Sequence, residues 1–324
     1  MNRRYRTVFW VVLLVINCVL ASLAFYMIKW GGDYSAEQKQ DSRLIGLSYM
    51  TMNNEFYKIM SEEINARIEA EGDRMVMRDP ALDPDRQVEQ IEEMLEMGID
   101  VLVITPVDTD QIVPVLEKAK QQGAIVVVLD TDAADSEVAD CTIRSDNYNA
   151  GVIVGKQFLE QHKTGRVVVM THEAAQSGQD RVQGFLDTVS GVSGIEIVRQ
   201  VECKGQMEIA MPRMQEVIRE ETDFDVVFCL NDLSAVGVVA ALEENDMLDE
   251  VDVYGVDGSP DSKALIKEGM MEATAAQFPT EIGEQAADVI YRLLNGESVE
   301  KQILIPVKLI TQQNVDEYGT DRWQ

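Results

Sequence analysis

The chain has 324 residues, of which 57 are acidic and 28 basic, and 46% of it is apolar. That length suggests two domains and that apolar share a full core, which excludes intrinsic disorder and collagen-like structure. The net charge of −29 sets the protein against phosphate backbones and hence against nucleic acid, and two histidines, His162 and His172, supply imidazole catalysis and multi-histidine metal sites poorly.

Arg3, Arg4 and Arg6 precede an uncharged run from Thr7 to Ile28. About 20 apolar residues cross a bilayer as a helix, and basic residues before a span stay in the cytoplasm, so everything after Lys29 is expected outside. The preferred reading is an uncleaved membrane anchor over residues 1–30. Two alternatives stay open. Ser22-Leu23-Ala24 has the small-residue spacing of a signal-peptidase site, although Phe25 to Ile28 continue the apolar run past the cut. Val15-Ile16-Asn17-Cys18 resembles a lipoprotein box, with Asn17 where a small residue belongs. All three readings export the bulk of the chain. Residues 31–42 are polar and read as a linker.

From Arg43 onward short apolar strands alternate with amphipathic helices. Strands are expected at Leu44–Tyr49, Arg74–Met77, Val101–Thr105, Ile125–Leu129, Val167–Met170, Ile195–Val201, Val226–Leu230, Val253–Val256 and Ala273–Ala276. Helices are expected at Val88–Met97, Ile112–Gln121, Gly151–Gln161, Gln206–Arg219, Ala235–Glu244 and Glu281–Leu294. In the first of these, Val88, Ile91, Met94 and Leu95 form an apolar stripe while Glu89, Glu92, Glu93 and Glu96 face water. Continuous apolar strands alternating with helices imply parallel sheets covered on both faces, and so many strands fit two Rossmann-like α/β lobes better than one sheet. Cys141, Cys203 and Cys229 fall in apolar contexts without a CxxC pair, and are expected to be buried free thiols and not metal ligands.

In open α/β sheets ligands sit beyond the carboxyl ends of the strands. Here those ends carry Asn53-Asn54-Glu55-Phe56-Tyr57, Asp130-Thr131-Asp132, Asn231-Asp232, Asp257-Gly258-Ser259 and Gln277-Phe278. One Asp or Asn at such a junction is most often a helix cap. Five junctions with an aromatic pair and the guanidinium fork of Arg181 are better explained by a polyol-binding cleft.

These residues resemble the type I periplasmic (solute-) binding proteins of the ribose-binding group, over about Arg43 to Thr311. Ile45-Gly46-Leu47 through Phe56-Tyr57 is similar to that family's first strand and its sugar-stacking turn. Leu102-Val103-Ile104-Thr105-Pro106, Ser145-Asp146-Asn147 with Gly151, Asn231-Asp232, Gly255-Val256-Asp257-Gly258 and Ala273 to Gln277 follow in family order. The resemblance implies two parallel-sheet lobes joined by a three-strand hinge, with lobe 1 at 43–145 plus 278–307 and lobe 2 at 146–277 plus 308–320. It implies sugar contacts at Asn54, Phe56, Tyr57, Asp130, Arg181, Asn231, Asp257 and Gln277. Thr131 joins this set where ribose binders carry arginine. The family's second-lobe aromatic falls near Lys204-Gly205-Gln206, where no aromatic stands, so a ligand other than ribose is expected.

The function implied is a receptor outside the cytoplasmic membrane. It would close two lobes on a monosaccharide or related polyol and present the liganded form to an ABC permease or a sensor kinase. It is expected to act as a monomer, with no cofactor, metal or nucleic acid. A repressor of the lactose type shares the core but would need an N-terminal helix-turn-helix, where this chain has an apolar span. A glycoside-processing hydrolase on the same scaffold is the enzymatic alternative. Asp130 and Asp257 would be its carboxylates; His172 with Ser177 would form a nucleophilic pair, against which His172 is expected to be a partly exposed loop histidine. No GxSxG, Walker or GxGxxG motif supports it.

Overall fold

The computed structural model describes Val19, Leu20, Ser22, residues 42–220 and residues 223–324. Met1–Ser42 and Arg43–Gln324 form separate units. The expected anchor at residues 1–30 and linker at 31–42 lie outside the described residues, except that Val19, Leu20 and Ser22 are helical and Ser42 is irregular. No helix among the described residues is long and apolar enough to cross a membrane.

Residues 43–324 fold as two α/β lobes. The first sheet contains β1 (Leu44–Ser48), β2 (Arg74–Arg78), β3 (Val101–Ile104), β4 (Ile125–Leu129), β5 (Cys141–Ser145) and β11 (Gln302–Ile305), in the order β11-β5-β4-β3-β1-β2, with every pair parallel. The second contains β6 (Gly165–Thr171), β7 (Ile195–Glu202), β8 (Val226–Cys229), β9 (Asp252–Asp257), β10 (Ala273–Ala276) and β12 (Lys308–Thr311), in the order β12-β10-β9-β8-β6-β7. Only the edge strand β12 runs antiparallel to its neighbour. The central strands are apolar and buried along their length, Val101 to Ile104 and Val226 to Cys229 being fully buried, because helices cover both faces.

The helices are α1 (Glu55–Glu71), α2 (Pro84–Glu96), α3 (Val113–Gln121), α4 (Asn147–Gln161), α5 (Gln176–Val189), α6 (Met207–Arg219), α7 (Asp232–Glu244), α8 (Pro260–Glu268) and α9 (Pro279–Leu294). The elements expected from sequence pattern do not include β5, β11, β12, α1, α5 or α8. In α5, Gly178 and Gly184 weaken the helical signal. Tertiary packing requires both: a Cβ on Gly178 would lie 2.8 Å from the His172 carbonyl oxygen and one on Gly184 2.0 Å from that of Tyr148, and one on Gly151 of α4 would lie 1.9 Å from that of Arg181. The two helices therefore cross backbone to backbone, and this contact fixes where Arg181 stands.

The chain changes sheets three times: from β5 to α4 at Ser145-Asp146, from β10 to α9 at Gln277-Phe278, and between β11 and β12 at Pro306-Val307. α9 packs on α1, with Ile282, Ala286, Val289 and Ile290 buried in the first lobe's core beside Met60 and Ile64. In both lobes the strand order reverses beside the first strand, at β1/β3 and at β6/β8, and a crevice opens beyond the carboxyl edge at such a reversal.

Candidate functional site

The carboxyl ends of both sheets face one another across a cavity of about 40 Å³. Asn54, Phe56, Tyr57 and Asp130 line it from the first lobe; Arg181, Asn231, Asp257 and Gln277 line it from the second lobe and the second crossing. Eight of the nine residues expected at a ligand are thus brought together. Thr131 is not. It is fully buried and its hydroxyl oxygen accepts the Ser177 backbone N–H at 2.8 Å, so it joins the two lobes beside the cavity. The chain turns at Asp130, which sends the next side chain away from the cavity.

Arg181 organises the second lobe's wall. Only 4% exposed, it donates from Nε to Asn147 Oδ1 at 2.8 Å and from Nη1 to the Leu230 carbonyl at 3.2 Å and to Asp257 Oδ1 at 3.1 Å. Its Nη2 lies 4.0 Å from Asp130 Oδ1, so one guanidinium sits between the carboxylates of both lobes. Gln277 Nε2 donates to Asp257 Oδ1 at 2.7 Å, and the Tyr57 hydroxyl donates to Asp130 Oδ2 at 3.3 Å. Among the described residues, Asp130 Oδ1 and Gln277 Oε1 are buried without a hydrogen-bond partner. Each is an acceptor left for a hydroxyl donor, since a buried unpaired polar group costs free energy.

Burial pushes both carboxyls up from their ordinary range: Asp130 rises and Asp257 reaches about 7, with Arg181 pulling each back down. Neighbouring Asp232 is pushed up to about 6 by its own burial, against hydrogen bonds from Ser262, Ser259 and Thr274. The Tyr57 hydroxyl is raised first by burial and then by Asp130. Both site carboxylates also stand on backbone that side chains rarely adopt, φ 66° at Asp130 and 132° at Asp257. Such strain persists where the surroundings over-determine it, as they do at binding sites.

The aromatic wall is a cluster. Tyr57 stacks on Tyr49 at 5.6 Å and meets Phe56 edge-on at 5.6 Å. Asn54 and Asn231 serve as caps as well as walls: Asn54 Oδ1 accepts the Phe56 N–H, and Asn231 Oδ1 accepts from Ser234 while its Nδ2 donates to the Gly205 carbonyl. The structure adds His172, Lys204 and Gln206 to the lining. His172 is buried, not partly exposed, and burial pushes its imidazole down towards the neutral form. The signal for these residues was their place after β6 and β7, in the same junction series. Cys141, Cys203 and Cys229 are buried free thiols. No group of three or more metal-ligating side chains occurs among the described residues.

Residues 45–298 match the family described as periplasmic binding protein domain. The ribose import binding protein of Bacillus subtilis is 28% identical over 271 residues, 83% of this chain and 87% of the relative. Among solved structures, an ABC transporter solute binding protein from Mycobacterium smegmatis with bound glycerol is 29% identical, with a TM-score of 0.80, over 86% of this chain and 97% of that one. One from Bacillus halodurans with bound myo-inositol is 25% identical, also at 0.80, over 86% and 98%.

Proposed function

Because the chain belongs to the periplasmic binding protein domain family, which is periplasmic, we propose that it is an extracytoplasmic receptor for a monosaccharide or related polyol. The observation that carries this reading is the set of buried carboxylate, amide and guanidinium groups contributed to one cavity by both lobes, with two acceptors left open. A polyol hydroxyl both donates and accepts, so it satisfies Asp130, Asp257 and Gln277 as donor and Arg181 as acceptor. Phe56 and Tyr57 supply apolar faces for the C–H side of a ring.

The lobes, 43–145 with 278–307 and 146–277 with 308–320, rotate about the three crossings and close on the ligand, the hinge motion by which periplasmic binding proteins enclose their solutes. The liganded form presents its closed surface to an ABC permease or a sensor kinase. The apolar run at 7–28 anchors the protein in the cytoplasmic membrane. The solved relatives with ligands are binding proteins, which favours binding over glycoside hydrolysis.

A thermal-shift screen of monosaccharides and polyols, followed by calorimetry, tests the ligand class: a ligand of the folded state raises the melting temperature, and a panel without any shift refutes it. Incubated glycosides should be recovered intact. External protease on intact cells should remove residues 43–324 from the membrane fraction; a soluble mature chain beginning at Phe25 would replace the anchor with a cleaved signal.

A further inference from the structure

The segment after β12 returns to the site. Lys263, fully buried on α8, donates from Nζ to the Arg322 carbonyl at 2.6 Å and to Gln324 Oε1 at 3.0 Å. The other end of the Gln324 amide donates to the carbonyl oxygens of Asp257 at 3.1 Å and of Gln277 at 2.6 Å, two residues that line the cavity. Between these anchors Trp323 reaches the first lobe, its ring 5.6 Å from that of Phe56, and packs against that lobe's core. The indole N–H has no hydrogen-bond partner among the described residues, so this hold is made by ring contact alone. Residues 322–324 lie beyond the stretch that matches the family, which ends at 298.

We propose that residues 322–324 are a strap that positions the ligand-facing residues and latches the lobes. Lys263 and Gln324 fix it to the second lobe under Asp257 and Gln277, and Trp323 engages the first lobe through Phe56. The inference rests on the two-lobed receptor reading for its effect on affinity, but the latch itself does not depend on which ligand binds. A directionless ring contact suits a latch that must release, because opening breaks no buried hydrogen bond there.

The test uses the full chain and three variants, Trp323→Ala, Trp323→Phe and Gln324→Ala. Without ligand, small-angle scattering should show a larger radius for Trp323→Ala than for the parent, and Trp323→Phe should restore the parent value. Difference fluorescence between the parent and Trp323→Phe isolates Trp323 from Trp10 and Trp30, and acrylamide should quench it weakly. D-ribose, D-fucose and myo-inositol serve as probes. For whichever binds, Trp323→Ala should weaken affinity about three- to tenfold, the size of one aromatic pair, with Trp323→Phe near the parent. Gln324→Ala should weaken affinity comparably, because the Asp257 and Gln277 backbones lose their tie. Unchanged scattering in Trp323→Ala together with free quenching of Trp323 overturns the strap. If none of the probes binds while scattering and quenching behave as expected, the strap stands and the sugar reading fails.

Discussion

Replacing Arg181 with methionine separates the two roles of the buried guanidinium. The substitution removes hydrogen bonds to Asn147 and the Leu230 carbonyl and the ion pair with Asp257, and it leaves Asp257 buried without its cation. Breaking one side of a buried pair costs about 3–5 kcal/mol when the abandoned charge stays charged. Asp257 already holds its proton up to about pH 7, far above its ordinary 3.8, and Arg181 pulls that value down; without Arg181 it rises further. A carboxyl whose folded pKa is raised binds its proton more tightly in the native state. Its stabilising effect is complete below the unfolded value and is lost as pH rises through the folded one. At pH 5, where Asp257 holds its proton with or without Arg181, Arg181→Met should therefore cost about 1–2 kcal/mol for the two remaining hydrogen bonds, and at pH 8 about 1 kcal/mol more, because only the parent releases the Asp257 proton above pH 7 and each pH unit is worth about 1.4 kcal/mol. Urea unfolding followed by circular dichroism at both pH values measures this. Adding Asp257→Asn to Arg181→Met should recover part of the loss at pH 8, giving a coupling of about 1–3 kcal/mol. An equal cost at both pH values, with additive effects in the double variant, would refute the charge-pair account of the site.

Asp130→Ala and Asp257→Ala should each lower ligand affinity by a few kcal/mol in calorimetry, since ligand hydroxyls lose buried acceptors, about 1–3 kcal/mol apiece; unaltered affinity in both would remove the cavity as the binding site. Gly184→Ala should destabilise the fold by more than about 2 kcal/mol, because its Cβ meets the Tyr148 carbonyl, backbone that cannot swing aside, and the melting temperature reads this directly. Thr131→Val removes the hydroxyl that receives the Ser177 N–H across the lobes and should weaken ligand binding by about 1 kcal/mol with little change in thermal stability; an unchanged affinity would mean that this contact does not contribute to closure.

The features legible from the residues alone are those that depend on local pattern. The runs Val101–Ile104, Ile125–Leu129 and Val226–Cys229 read as doubly covered parallel strands, and an Asp, Asn or Gln after a strand end marks a polar rim whatever the neighbouring strand is. Eight of the nine ligand candidates line the cavity, because strand ends of a doubly wound lobe converge by topology. What the chain order could not decide was direction and closeness in space. Whether Thr131 faces the cavity or the other lobe depends on the positive φ of Asp130. The helix α5 that carries Arg181 reads weakly because Gly184 answers a contact with α4, a separate helix, and not a local preference. The reach of Trp323 to Phe56 spans most of the chain, and that of Gln324 to Asp257 skips three strands and two helices. No periodicity encodes such contacts; they exist only once β12 has brought the chain back to the second lobe.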